Sequence, residues 1–264
     1  MQRYALGIEY EGTHYKGWQK QKKTSLTIQE KVEDALSKVA NEEIKTICSG
    51  RTDSGVHAAM QVIHFETSSN RTNKALLLGS NSILPFDINI IWVKKVTNNF
   101  HGRFSAKKRS YRYHIFNGRH QSVLNRKFSS IIKESLDIVS MQKASNYLIG
   151  EKDFSSFRGA GCQSKSAKRN IFEINIKKNG KIIVIDISAN AFLLNMVRII
   201  VGTLIDVGLN KITPESIKEI LLLKDRTKAG KTAEAKGLFY VGPEYEEGFN
   251  LKKPRYRRKL VLTD

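Results

Sequence analysis

Twice along this chain the spacing of apolar residues changes in the same order, and that repeated change limits the possible folds. Strands show as alternation, helices as apolar residues three and four apart. In the first half, Tyr4 to Tyr10 reads as a strand. A polar stretch follows, then a helix with the stripe Ile28, Val32, Ala35, Leu36 and Val39, capped by Thr27 or Ser25. Ile44 to Cys48 and Gln61 to Thr67 read as strands, Asn73 to Asn81 as a short helix, and Ile88 to Val96 as a strand. The second half opens with the strand Ser110 to Phe116 and a helix from Leu136 to Leu148. A hairpin then pairs Ile171 to Ile176 with Ile182 to Ile187 around the turn Lys178-Asn-Gly180. Helices at Ala191 to Val207 and Pro214 to Leu223 and a strand at Gly237 to Val241 close the chain. Each half is thus roughly β-α-β-β-α-β, the ferredoxin-like order, and the fold class is α+β. The expected division is an N-terminal lobe over 1–105 and a C-terminal lobe over 106–264, with no low-complexity linker between them.

Charge narrows the partner. The 45 Lys and Arg residues against 25 Asp and Glu leave a formal charge of +20 on 264 residues. Self-repulsion of that size destabilises a compact fold unless a polyanion or counterions offset it. Nucleic acid is the natural partner. An anionic membrane fits less well, because the basic residues form no lone amphipathic helix. A lysine-rich genomic composition explains part of the excess but not the arginines set inside motifs. Cys48 and Cys162 stand far apart, outside any C-x-x-C pair, which argues against a zinc site or a disulfide framework. Glu9 and Glu11 interrupt the first apolar run, and Ala191 to Leu209 contains Asn195, Arg198 and Asp206. Neither a signal peptide nor a membrane span is expected, and the predicted location is the cytoplasm.

Chemistry concentrates in Gly50 to Ala58, which reads G-R-T-D-S-G-V-H-A. Two glycines allow close backbone approach, and on extended backbone Arg51 and Asp53 share a face. Such a segment can be an Asx-type turn with a solvated arginine, or a site that holds a carboxylate. Arg198 stands among Phe192, Leu193, Leu194, Met196, Val197 and Ile199. An arginine there either snorkels to the rim or is buried against an anion, for which Asp53 is the candidate. Tyr111 and Tyr113 alternate with Arg112, either as core aromatics or with one ring free to stack on a base. His57 and His101 lack the partner pattern of a general base, so structural or RNA-contact roles are expected.

These segments resemble the tRNA pseudouridine synthase A family. The likeness runs from Tyr4-Ala-Leu-Gly-Ile-Glu-Tyr10 and Gly17-Trp-Gln19 through the Gly50 signature, Phe100-His-Gly-Arg-Phe-Ser-Ala106 and Ser110-Tyr-Arg-Tyr113. It continues through Asp153-Phe-Ser-Ser-Phe157, Cys162-Gln-Ser164, Asn190-Ala-Phe192, Met196-Val-Arg198, Lys224-Asp-Arg-Thr227 and Gly237-Leu-Phe239. The resemblance implies that the sheets of the two lobes join, antiparallel and mixed, with an RNA-binding cleft between them: the pseudouridine synthase fold. It implies isomerisation of uridine to pseudouridine at positions 38, 39 and 40 of the tRNA anticodon arm, with Asp53 as nucleophile and Arg198 beside it. Tyr111 matches the family's active-site tyrosine, and Leu238 a residue lining the uracil pocket. Arg51 is expected to enter the tRNA and hold the flipped base out. Arg103 and Arg119 match tRNA contacts, with Phe100, His101 and Phe104 around the first, and so does the loop of Cys162, Gln163, Ser164 and Lys165. Lys165 stands where some relatives carry arginine. The resemblance further implies a homodimer, and the redox-neutral reaction calls for no cofactor and no metal. Alternatives are a sister synthase acting at other RNA positions and a non-catalytic RNA-binding protein on the same scaffold.

Overall fold

The computed structural model describes residues 1–120 and 123–254. Among the described residues two compact units emerge: Met1–Arg109 together with 239–254, and Ser110–Leu238.

In the first unit, β1 (Gln2–Tyr10) is followed by α1 (Ile28–Ala40), β2 (Ile47–Cys48), β3 (His57–Thr67), α2 (Asn73–Asn81) and β4 (Ile88–Val96). Spatially β1 lies between β3 and β4 and is antiparallel to both, while β2 pairs with β3. That is the ferredoxin-like order 4-1-3-2. Ile28, Val32, Ala35, Leu36 and Ala40 form the buried side of α1, and Val39 lies at its margin. Thr27 stands at the N-cap without a side-chain cap bond, and Asn41 ends the helix in the left-handed region at φ 57°. Thr72 caps α2 by accepting the Ala75 N–H at 3.1 Å. One sheet face buries Ala5, Met60, Val62 and Trp92 with Phe100 from the following loop. Gly7 makes room for the Trp92 indole, since a Cβ there would fall 2.0 Å from its ring nitrogen.

In the second unit, β5 (Ala106–Asn117) begins four residues before the boundary and leads to β6 (Ser130–Ile132), α3 (Ile138–Asn146) and β7 (Gly150–Asp153). The hairpin β8 (Lys168–Asn179) and β9 (Ile182–Ala189) follows, then α4 (Met196–Gly208) and α5 (Ser216–Leu223). The strand order is β5-β9-β8-β7, with β6 parallel to β5. The hairpin turn centres on Gly180 and Lys181, one residue later than the Asn-Gly pair suggests: Asn179 still pairs with Ile182, and Gly180 takes φ 56°. Asp137 caps α3 through the Ser140 N–H at 3.1 Å.

The last strand, β10 (Leu238–Tyr245), carries the chain back. Spacing alone leaves everything after residue 105 to the second lobe. In the structure Phe239 and Tyr240 run parallel to His57 and Ala58 of β3, and residues 239–254 belong to the first unit. Tyr245, Phe249 and Leu251 then pack on the Ala5–Trp92 face.

Candidate active site

The stretch from Gly50 to Val56 leaves β2 and returns to the sheet at His57. Its turn is closed by main chain, the Val56 N–H donating to the Asp53 carbonyl at 3.1 Å. Gly55 takes φ 78°, as the third residue of a type II turn must.

A second segment clasps this turn. Between β1 and α1, the Trp18 N–H donates to the Thr52 carbonyl at 3.0 Å. The Tyr15 carbonyl accepts the Gly55 N–H at 3.3 Å and the Ser54 hydroxyl at 3.1 Å. Tyr10 and Thr52 share a hydroxyl–hydroxyl bond of 2.7 Å. Glycine permits the closeness: a Cβ on Gly12 would lie 1.9 Å from the Val56 carbonyl oxygen. Gly17 sits at φ 90°, and its Cβ would fall 2.8 Å from the Thr52 carbonyl. Asp53 is thereby held half-buried between fixed peptides, beside an exposed Arg51.

Beneath the turn lies a buried polar set. The Ser49 hydroxyl donates to Gln61 Oε1 at 2.6 Å and meets the Tyr240 hydroxyl at 2.9 Å, and Gln61 donates to the Gly50 carbonyl. Arg109, with 9% of its surface exposed, donates to the Ser49 carbonyl at 3.0 Å and to the Ala106 carbonyl at 3.2 Å. Each such group would cost about 1–3 kcal/mol if left unpaired, so the set fixes the strand end from which the turn departs. Burial pushes the Cys48 thiol up to about 11, which leaves it protonated and unreactive at neutral pH. His57 is structural: its Nδ1 accepts the Gly12 N–H at 3.0 Å, and its ring stacks on Phe239 at 4.7 Å.

Tyr111, Arg198 and Leu238 lie in the second unit. Tyr111 meets Phe192 edge-on, with ring centroids 5.1 Å apart. Tyr113, two residues along, is wholly buried and donates to the Glu234 carbonyl at 2.8 Å; burial raises its phenol well above the ordinary range. Leu238 is buried. The helix expected from Ala191 starts only at Met196, because Asn195 adopts φ 58°. Arg198 therefore stands in the first turn of α4, half-buried, where its Nε donates to the Ala233 carbonyl at 2.7 Å. One terminal nitrogen donates to Asn195 Oδ1 at 3.0 Å, so the plane of the guanidinium is set.

Of the expected RNA contacts, Arg51, Arg103, Phe104, Arg119, Gln163 and Lys165 are exposed. Phe100 is corrected: it has 0% exposure and packs edge-on against Tyr245 and Phe249, so it can act on RNA only by supporting its loop. His101 braces that loop, its Nδ1 accepting the Arg103 and Phe104 N–H groups at 3.2 and 3.1 Å. The His101 ring stacks on Phe104 at 4.4 Å, and the Arg103 guanidinium lies over Phe104 at 5.6 Å. Cys162 and Ser164 are half-buried, and both carbonyls accept from Arg158, the second at 2.8 Å. Among the described residues no three His, Cys, Asp or Glu side chains gather to hold a metal ion.

Spacing passes over Arg109, Arg158 and the Tyr15 clasp. Arg109 was within reach, since alternation on β5 puts it on the face of Tyr111 and Tyr113. Arg158 and Tyr15 act through carbonyls, which leave no mark in sequence.

A loop that holds a carboxylate between clamped peptides, on a ferredoxin-like α+β unit of a basic chain, defines a candidate RNA-modifying enzyme. The family model for tRNA pseudouridine synthase matches residues 7–105 and 144–246, and the chain belongs to that family. It is 49% identical over 253 residues to the tRNA pseudouridine synthase A of Colwellia psychrerythraea, covering 96% of this chain and 97% of that one. To the enzyme of the same name from Escherichia fergusonii it is 50% identical over 251 residues, covering 95% and 92%. A Buchnera aphidicola tRNA pseudouridine synthase A is 48% identical over 253 residues, covering 96% and 95%. The chain is an isomerase that converts uridine in tRNA to pseudouridine.

Proposed function

We propose that this synthase modifies uridines 38, 39 and 40 of the anticodon arm, with Asp53 as its nucleophile. The observation that carries the assignment is the clasped turn, which spends main-chain groups and glycines on fixing one half-buried carboxylate. The reaction detaches the base from C1′ of its ribose, rotates it and rejoins it through C5. The C5 hydrogen is lost as a proton and N1 gains one, so atoms and electrons balance. An ionised carboxylate serves the step whether it adds to the base or assists at the sugar. Arg198 is assigned, as the family resemblance implies, the role of the cation that favours the ionised form of Asp53. Tyr111 stacks on the extruded uracil, and Leu238 lines its pocket. Arg51 replaces the stacking lost on flipping, at a cost to the duplex of a few kcal/mol. The working form is assigned as a cytoplasmic homodimer with tRNA across both subunits.

Asp53→Asn tests this reading. Tritium release from C5-labelled uridine in tRNA should vanish while tRNA binding stays within a few-fold, because the substitution removes the nucleophile and no positive charge. Turnover near wild type would remove Asp53 from the mechanism. Arg51→Ala should lower turnover at saturating tRNA more than it lowers binding. Weaker binding with unchanged turnover would make Arg51 one more phosphate contact.

A further inference from the structure

The segment that clasps the Asp53 turn also carries a cluster of positive charge. Lys16, Lys20, Lys22 and Lys23 are all exposed, and none is paired with a carboxylate among the described residues. Some other surface lysines are paired, Lys107 with Glu246 at 2.9 Å, Lys108 with Glu244 at 3.2 Å and Lys143 with Glu215 at 2.7 Å; what sets the arm apart is four unpaired lysines within eight residues. The arm is ordered by its own bonds. The Lys20 N–H donates to Gln29 Oε1 at 3.0 Å, the Lys16 N–H to the Leu26 carbonyl at 2.7 Å, and Gln21 Nε2 to the Lys16 carbonyl at 2.9 Å. Four like charges on one short connection repel one another, and an ordered arm keeps them close only at a cost.

An aromatic stands beside them. Phe86 is 98% exposed, on the turn between α2 and β4. Its neighbour Asp87 accepts the Tyr15 hydroxyl at 2.5 Å, and the Asp87 carbonyl accepts the Glu11 N–H at 2.9 Å. Tyr15 thus links the lysine arm, the Asp53 turn and the Phe86 turn through direct bonds.

We propose that this arm is a phosphate clamp for the RNA strand beside the target uridine, and that Phe86 stacks on one of that strand's unpaired bases. The proposal rests on the reading of tRNA as substrate. Lysine suits the task, because a mobile point charge satisfies phosphate without the planar fork that bidentate contacts need. A basic track with an aromatic platform is the composition by which proteins hold single-stranded RNA. Placing it on the clasp joins backbone binding to the peptides that fix Asp53.

The test measures binding of an unmodified anticodon-arm RNA across a salt series, with pseudouridine formation followed in parallel. In the variant combining Lys20→Gln, Lys22→Gln and Lys23→Gln, the slope of log K against log salt should become shallower by about two, at about 0.7 per neutralised phosphate. KM should rise more than turnover falls. Replacing the same three lysines by arginine should restore the slope. A control that removes equal charge through Lys38→Gln, Lys74→Gln and Lys95→Gln should change the slope far less. Phe86→Ala should weaken binding about five- to hundred-fold at every salt concentration and leave the slope alone. An unchanged slope in the arm variant, or an equal change in the control, overturns the clamp. Wild-type affinity in Phe86→Ala overturns the stacking contact. If the wild-type protein itself neither binds RNA in a salt-dependent way nor forms pseudouridine, the substrate reading falls and the clamp falls with it.

Discussion

His64 shows what one ring does for the loop that displays Arg103 and Phe104. It is 4% exposed, and its Nδ1 accepts the Gly102 N–H at 3.0 Å. A proton on that nitrogen would set a donor against a donor. Burial first, then the His101 ring 4.7 Å away and the Arg3 guanidinium, push its pKa down to about 4, with a backbone hydrogen bond to Ile47 and then Glu66 opposing. The folded pKa lies below the unfolded value of about 6.5, so the unfolded chain binds the extra proton first. The stability tied to the neutral ring is complete above about pH 6.5 and is lost as pH falls toward 4. His64→Gln keeps an acceptor for Gly102 but cannot titrate in this range. Urea midpoints measured from pH 7 to 4 should fall more steeply for wild type than for this variant; parallel curves would show that His64 does not drive the loss. At this scale the sequence conveyed which residue types matter, Asp53 and Arg51 above all, through a motif with little structural purpose. It did not convey exposure. Phe100 shares a motif with Arg103 and Phe104, yet Tyr245 and Phe249, well over a hundred residues later, cover it.

Elements were legible where one periodicity ran without interruption. The limits of α2 come out as spacing suggests, and β1 and β4 agree within two residues, because each has a strong apolar pattern closed by polar residues. The misses occur where a backbone conformation decides. Asn195 in the left-handed region delays α4 by a turn, and β3 begins at His57, four residues before the alternation is plain. Gly17 is the corresponding device on the clasp, with φ 90° and room for no Cβ, which would fall 2.8 Å from the Thr52 carbonyl oxygen. Gly17→Ala should cost about 1–3 kcal/mol in urea unfolding, from overpacking in a conformation that alanine disfavours. Because the peptide it would push is the one before Asp53, turnover should fall by more than the unfolded fraction explains. Lost stability with full turnover per folded molecule would mean that the clasp supports the fold but does not position the carboxylate.

Over the whole chain, the return of β10 was the feature least visible in advance, since nothing local in Phe239 or Tyr240 says which sheet they join. Parallel pairing with β3 and the Tyr240–Ser49 bond tie the last strand to the first unit, beneath the Asp53 turn. Charge is the other property that belongs to the molecule as a whole. A formal +20 repels itself, and RNA relieves that repulsion by exchanging condensed counterions for side chains. Binding of tRNA should therefore weaken linearly in log K with log salt, by about 0.7 to 0.9 for each phosphate neutralised. Arg103 and Arg119 are both exposed, the first on a loop braced by two histidines, the second just past the end of β5. Arg103→Ala and Arg119→Ala should each make the slope shallower by about one phosphate's share and weaken tRNAs of different sequence alike. Losses from contacts to separate phosphates should add. Filter binding across a salt series, with two tRNAs of unlike anticodon arm, decides the matter. A substitution that weakens one tRNA and spares the other would mean that the arginine reads a base, and the charge would then act through specific contacts and not as a track.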